Sequence, residues 1–144
     1  FGCVIVVAAC FMGLVTAMDG NILLYLNIPS LLIVLVIPIL YQNMLFGFSG
    51  FVTAFSALFR ENVLAEDLAN ALAFFSSFGR SIWLFAAMAA LLGFTGVLAG
   101  PDASPDLGLH LALTLVPLLY AVLFHLAFVC PFTARLKLRM ARTC

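Results

Sequence analysis

Four long apolar segments limit what this chain can fold into more than any other feature of the sequence. They are Phe1–Met18, Ile28–Phe48, Ser81–Ala99 and Leu107–Cys130, and none of them contains Asp, Glu, Lys or Arg. Because a hydrocarbon core of about 30 Å is crossed by about 20 helical residues, each segment is long enough to span a membrane. Lipid cannot bond to backbone N–H and C=O groups, so each should be helical. We therefore predict an all-α membrane protein with four transmembrane helices in one membrane domain, residues 1–144.

The composition excludes a soluble globular domain. The chain is 66% hydrophobic and 8% charged, with a mean hydropathy of +1.27, whereas soluble domains are about half apolar and about a quarter charged. Its formal net charge is zero, so composition offers no argument for nucleic-acid binding. The sequence opens on Phe1 inside an apolar run, from which we expect that the native N-terminus lies further upstream.

The basic residues predict the orientation of the spans. Arg60 and Arg80 lie between the second and third spans, and the rest of the six follow the fourth: Arg135, Lys137, Arg139 and Arg142. The loops 19–27 and 100–106 contain no Lys or Arg. Because Lys and Arg are enriched on the cytoplasmic side, we predict two external loops, a cytoplasmic loop 49–80 and a basic cytoplasmic tail 131–144, with both chain ends in the cytoplasm.

The cytoplasmic loop has apolar residues at helical spacing in two runs, namely Phe51, Phe55, Leu58 and Phe59, then Leu64, Leu68, Leu72 and Phe75. This spacing predicts two short amphipathic helices. They could lie against the inner membrane surface or could extend spans two and three into the cytoplasm. The charged residues between and after these runs could form a solvated face or contact a cytoplasmic partner: Arg60, Glu61, Glu66 and Asp67.

Small residues recur along one face of two spans. The third span has Ala86, Ala89, Gly93 and Gly96, and the first has Ala9 and Gly13. Such faces let helix backbones approach closely, so these residues predict a packed bundle or an oligomer. Pro38, inside the second span, is expected to kink that helix.

The fourth span has a polar, small and proline-containing face. His110, Thr114, Pro117, Ala121 and His125 follow one another at helical spacing. A water-bearing passage needs such a face, and a helix contact with a few hydrogen bonds would show the same one. The imidazole of His125 could relay protons, because histidine titrates near neutral pH, or it could be a neutral hydrogen-bonding residue.

The sequence gives no sign of an enzyme, a metal site or a cofactor. It shows no Ser/His/Asp set, no zinc spacing and no phosphate loop. The four cysteines form no CxxC pair: Cys3, Cys10, Cys130 and Cys144. We interpret them as small apolar side chains.

Three stretches resemble the MotA/TolQ/ExbB proton-channel family, in particular its short MotA-like members. One is Asp19-Gly20-Asn21 followed by LNIPSLLIVL at Leu26–Leu35, which is similar to the entry of the second span. The second is LGFTGVL at Leu92–Leu98, similar to the third span. The third runs from Ala112 to Pro131 and into the basic tail.

The resemblance implies a bacterial inner-membrane subunit that forms a ring, typically a pentamer, around two single-span partner helices. Each partner would supply an intramembrane aspartate through which ions cross. The residues lining the ion pathway would be Thr95, Thr114, Pro117 and His125. The family's paired threonines of the last span fall at Pro117 and Leu118 here, and its small-Thr pair of the third span falls at Leu92 and Gly93. Thr114 and Thr95 lie two or three positions away; either they replace these hydroxyls or proton passage is lost while the ring remains. A non-conducting scaffold of the same ancestry and a small-solute transporter are the alternatives.

Overall fold

The computed structural model describes residues 2–17, 27–60, 63–100 and 107–143, and the regular structure in these ranges is all helical. The all-α prediction is therefore confirmed. Helix α1 is Gly2–Ala17, α2 is Ile28–Phe59, α3 is Ala65–Leu98 and α4 is Leu107–Phe124; a π-helical segment at His125–Val129 then leads into α5, Cys130–Thr143. The predicted external loops lie almost entirely outside the described residues, as does Glu61.

Among the described residues, three helices are long and apolar enough to cross a membrane: Ile28–Phe59, Ala65–Leu98 and the continuous rod Leu107–Arg142. The chain is thus a multi-pass membrane protein. Helix α1 has 16 residues, fewer than the about 20 that a full crossing needs. The fourth crossing stays a prediction.

The predicted cytoplasmic loop extends the long helices. Residues 49–80 are helical as expected, apart from a short connection between Phe59 and Ala65, but they do not form separate helices on a membrane surface. The first 11 residues of this region continue α2 and the last 16 continue α3, which is the second of the two alternatives. Where a helix continues, its backbone carbonyls keep their intrahelical N–H donors. Additional helix ends would instead leave several backbone N–H and C=O groups without partners.

Helix α2 is interrupted at Gly47 and not at Pro38. Gly47 has φ 70° and ψ 165°, and it is the one residue within α2 with non-helical backbone angles. This region of backbone space is accessible almost only to glycine. Pro38 is buried and keeps helical angles, and the kink predicted there stays a prediction. Gly47 divides α2 into an N-terminal part, Ile28–Phe46, and a C-terminal part, Phe48–Phe59.

Two apolar clusters hold the helices together, and α3 contributes to both. One joins α2, α3 and α4 in the middle of the bundle; its buried members are Val34, Ile82, Ala86, Val116, Tyr120, Ala121 and Val129. The other joins the C-terminal half of α2 to α3 and α5; its buried members are Ala54, Ala57, Leu58, Leu68, Ala71, Phe74, Phe75 and Leu136. Since α5 places Leu136 in the second cluster, the basic tail is a packed helix and not a loose end.

The π-helical segment precedes a proline. The N–H of Cys130 donates to the carbonyl of His125, five residues back. Pro131 has no N–H and its ring would clash with a carbonyl four residues earlier, so a widened turn directly before it relieves that clash. The hydroxyl of Thr133 lies 2.8 Å from the carbonyl oxygen of Val129 and donates to it, which satisfies an acceptor at the end of the widened turn.

Candidate functional site: the α3–α4 interface

Thr114 is a packing residue between α3 and α4. A Cβ placed on Gly93 would lie 3.1 Å from the Cγ2 of Thr114 and 3.6 Å from its Cα. The side chain of Thr114 is 8% exposed, and its hydroxyl donates to the carbonyl of Leu111 at 2.7 Å. The absence of a side chain at Gly93 therefore lets the two helices meet at Thr114, and the threonine hydroxyl is bonded within its own helix.

Thr95 lies on a different surface. It is exposed, and its hydroxyl donates to the carbonyl of Leu92 at 2.9 Å. A helix turns about 100° per residue, so Thr95 lies about 200° around α3 from Gly93, the residue that contacts Thr114. The structure does not bring the two predicted pathway threonines together within one chain.

Pro117 is buried one turn below Thr114. The neighbouring Tyr120 is 6% exposed, and its hydroxyl accepts a hydrogen bond from the N–H of Asn27 at 3.0 Å. Asn27 in turn caps α2, where its Oδ1 accepts from the N–H of Ser30 at 3.4 Å. The start of α2 is thus held against the C-terminal third of α4 by a hydrogen bond.

His125 opens the π-helical segment and faces α3. A Cβ on Gly79 would lie 3.0 Å from the Cε1 of His125, and the imidazole ring is 6.1 Å from the ring of Trp83. The Nδ1 atom of His125 is buried and has no hydrogen-bond partner among the described residues. His110, predicted to share this face, is exposed at the other end of α4.

The small residues predicted to pack divide into two groups. Ala86 is fully buried, Ala89 is half-buried and Gly93 contacts Thr114. Ala9, Gly13 and Gly96 are exposed, and a Cβ on Gly13 or Gly96 would meet nothing within 4 Å. Within the part of the chain that the structure describes, the second group therefore has no packing partner beside Gly13 and Gly96.

The buried stripe of α3 follows a slightly different line from the predicted one. Its buried members are Gly79, Ile82, Ala86 and Ala90, and the half-buried Gly93 continues the line, at steps of three or four residues. Gly79 is the closest approach, because a Cβ there would lie 2.8 Å from the Cγ1 of Val129. The prediction did not include it, although a glycine directly before Arg80 in an otherwise aromatic stretch was visible in the sequence.

Gln42 is the main polar residue that the sequence-based prediction missed. It is fully buried within α2, and its Nε2 donates to the main-chain carbonyl of Phe74 at 2.8 Å. The hydroxyl of Ser77 approaches its Oε1 at 3.5 Å. An amide inside an apolar segment must find such partners, since an unbonded polar group is costly there. The sequence feature that could have revealed this contact was Gln42 itself, because it is the first strongly polar side chain after Asn27 and Ser30 along that apolar segment.

The predicted cytoplasmic contact residues surround the junction of α2 and α3. Arg60 and Glu66 are exposed and Asp67 is half-buried. A cavity of about 210 Å³ at this junction is lined by Thr53, Ser56, Ala57, Arg60, Val63 and Asp67. The carbonyl of Arg60 accepts a hydrogen bond from Arg139 at 2.8 Å, so this end of α2 is tied to α5.

Comparison with known proteins yields no match: no family model, no curated protein and no solved structure matches this chain. The likeness to the MotA/TolQ/ExbB family rests on the sequence stretches quoted above.

Proposed function

We propose that the chain is a ring-forming subunit of an ion-motive-force-driven machine of the bacterial inner membrane, with both of its ends in the cytoplasm. Several copies, five in the family it resembles, would surround single-span partner helices that supply the intramembrane carboxylate. The observation that carries the proposal is the uncovered outer face of α3, where Thr95 and Gly96 are exposed and no other part of the described chain lies within 4 Å of a Cβ on Gly96.

That face suits a close approach by another helix. Without a hydrophobic driving force, helices in membranes associate through close backbone contact and interhelical hydrogen bonds. Gly96 provides the small position and Thr95 provides a hydroxyl beside it. Helix α4 covers α3 at Gly93, and Thr95 lies about 200° around α3 from that residue, so the contact with α4 and the Thr95 hydroxyl are on separate sides of the helix.

The charges support a partner that brings its own acid. The four apolar segments contain no Asp or Glu, and proton relays in membranes use ionisable side chains. One charge crossing a potential of 100 mV releases about 2.3 kcal/mol, which a ring could convert into work only if the ion passes through a titratable group. In this proposal that group belongs to the partner helix, opposite Thr95.

The assembly itself is the first test. The chain is isolated from its native membranes in lipid nanodiscs, and single particles are imaged to count its copies and to find density in the centre. We expect a closed ring with central helical density beside Thr95 and Gly96. A monomer with lipid against both residues would refute the proposal.

Ion flux is the second test, and the chain offers a matched control. Liposomes containing the isolated complex and an internal pH-sensitive dye are energised, and Thr95→Val is compared with Thr16→Val. Thr16 is also exposed, and its hydroxyl donates to the carbonyl of Met12 at 2.9 Å. We expect Thr95→Val to lose most of the flux while keeping the ring, and Thr16→Val to retain it.

A non-conducting scaffold of the same ancestry is the second candidate, and the position of Thr114 favours it. A pathway built from both threonines is not available within one chain, because the Thr114 side chain is packed against Gly93 and its hydroxyl is bonded to Leu111. A scaffold would form the same ring around a partner without a mid-membrane acid. Unchanged flux in Thr95→Val, with an intact ring, would select this candidate.

A further inference from the structure

We propose that the cavity between the inner halves of α2, α3 and α4–α5 binds one acyl chain of an anionic membrane phospholipid. The cavity has a volume of about 280 Å³ and its lining is entirely apolar. Eight of the lining residues are phenylalanines: Phe51, Phe55, Phe74, Phe75, Phe78, Phe124, Phe128 and Phe132. This inference is independent of the proposed ring, because every lining residue belongs to a single chain.

The walls of the cavity are held apart by ring–ring contacts. Phe55 packs edge-to-face on Phe75 with centroids 5.4 Å apart, and Phe75 packs in the same way on Phe132 at 5.3 Å. Phe74 contacts Phe51 with centroids at 5.7 Å. Such pairs are favourable beyond their buried area. The rings therefore support one another around the space, and the cavity is not a gap that neighbouring side chains can simply fill.

An apolar space of this size should have an occupant. Protein interiors are close-packed, with few voids larger than a water molecule, and an apolar void does not hold water. Its walls lose dispersion contacts until atoms fill it. The lining has no polar atom to orient a polar ligand, so the occupant should be a hydrocarbon.

The dimensions and the position favour a lipid chain over a protein segment. A helix with side chains is about 10 Å wide, too large for a cavity of about 280 Å³. Phe128 lines the cavity and is 40% exposed, so the cavity reaches the lipid-facing surface there. A flexible acyl chain from the bilayer can enter by that route.

The charge beside the cavity favours an anionic headgroup. Phe132 lines the cavity on α5, and Arg135 follows it one helical turn later, exposed, with Lys137 also exposed beyond it. Basic residues at the inner membrane surface attract anionic lipids. A phospholipid whose chain passes Phe128 could therefore place its phosphate near Arg135.

The test measures retained lipid in matched variants. The full chain is reconstituted with a palmitoyl-oleoyl phosphatidylglycerol, released into detergent, and weighed by native mass spectrometry. Ile39 lines the cavity, whereas Ile37 lies outside it and is 38% exposed to the surroundings. We expect one retained phospholipid per wild-type chain, about tenfold lower occupancy in Ile39→Trp because the new ring fills the space, and wild-type occupancy in Ile37→Trp.

Two further arms identify the ligand. Phosphatidylcholine with the same chains should be retained less well than phosphatidylglycerol, and Arg135→Met should lower that preference about fivefold. Retention of free oleic acid without any phospholipid would overturn the proposal. Equal retention in the wild type, Ile39→Trp and Ile37→Trp would overturn it as well.

Thermal unfolding separates loss of binding from loss of folding. Added phosphatidylglycerol should raise the melting temperature of the wild type and of Ile37→Trp, but not that of a folded Ile39→Trp, since a ligand stabilises only the state that binds it. If Ile39→Trp does not fold, Leu35→Phe fills the same cavity and Leu32→Phe, on the exposed side of α2, is its control. A lipid-induced shift of equal size in the filled variant and its control would refute the site.

Discussion

The side-chain amide of Gln42 donates a hydrogen bond across the α2–α3 interface to the main-chain carbonyl of Phe74, at a distance of 2.8 Å. Gln42 is fully buried, and Phe74 belongs to the aromatic group that lines the cavity. The bond therefore sets the relative height of two long helices beside the cavity. Apolar contacts alone would allow the two helices to slide, because they have little directional preference.

Replacing Gln42 by methionine should destabilise the chain by about 1 kcal/mol, since hydrogen bonds between membrane helices average about 0.6 kcal/mol and reach about 1.7. Methionine keeps a similar volume, so the change isolates the hydrogen bond. Ser77→Ala is the matched control. Its hydroxyl is 3.5 Å from Gln42, at the outer limit of a hydrogen bond, and the expected change is near zero. The free energy of unfolding of both variants is measured by following helix content during denaturant unfolding in detergent. Equal losses of stability in the two variants would contradict a stabilising bond from Gln42 to Phe74.

The helices themselves could be predicted, and the reason is physical. In an apolar segment each backbone N–H must bond within its own helix, so the apolar segments Ile28–Phe48 and Ser81–Ala99 could be predicted as helical. Their extension to Phe59 and back to Ala65 was one of two alternatives that spacing left open. The break at Gly47 could not be predicted in the same way, because a glycine within a helix tolerates both helical and positive φ values. Only the packing of Phe51 and Phe55 against α3 selects the positive φ at Gly47.

The candidate site was harder to predict because it depends on the rotation of α3. Gly93 and Gly96 are both small and both lie near the C-terminal end of that helix, so the sequence could not distinguish which one contacts α4. The structure selects Gly93, which buries Thr114 and leaves Thr95 exposed. The prediction placed Thr95 and Thr114 along one ion pathway. That placement depends on how α3 is rotated against α4, which the spacing of residues in the sequence does not give.

Gly79 should be the glycine most sensitive to substitution. A Cβ there would lie 2.8 Å from the Cγ1 of Val129 and 3.0 Å from the Cε1 of His125, so α3 and the π-helical segment must separate. We expect Gly79→Ala to destabilise the chain by about 1–3 kcal/mol. Val129→Ala in the same chain should recover part of that loss by removing the nearest methyl group.

Gly108→Ala provides the control for Gly79→Ala. Gly108 is also helical, and a Cβ there would meet nothing within 4 Å. It should therefore stabilise the chain by up to about 1 kcal/mol through helix propensity. Thermal unfolding of the three variants in one detergent gives the comparison. If Gly79→Ala behaves like Gly108→Ala, the close approach at the π-helical segment is wrong.

Gly47 should resist substitution for a different reason. Space is open around it, since the nearest atom to an added Cβ is the Oγ of Ser49 at 3.8 Å, but its φ of 70° is unfavourable for any other residue. We expect Gly47→Ala to cost about 1–3 kcal/mol from backbone strain, or to straighten α2 and separate Phe51 from α3. Spin labels on the two halves of α2 would report a longer distance in the second case. An unchanged distance together with unchanged stability would contradict the kink.

Arg139 should hold the C-terminal end of α2 in place. Its Nη1 donates to the carbonyls of Ala57 and Arg60 at 2.9 and 2.8 Å, where the final turn of a helix has unbonded acceptors and a partial negative charge. Because the site is half-exposed, we expect Arg139→Met to cost about 1 kcal/mol and to speed amide exchange in the last turns of α2.

Arg142→Met is the control for Arg139→Met, because Arg142 is exposed on the same helix and should leave exchange in α2 unchanged. Arg139→Lys should recover part of the protection, since an ammonium group keeps the charge and can donate to both carbonyls, but from a shorter side chain. Hydrogen exchange followed by mass spectrometry of the 48–60 peptide measures all three variants. Slow exchange that persists in Arg139→Met would show that the apolar cluster around Leu58 and Leu136 holds this end by itself.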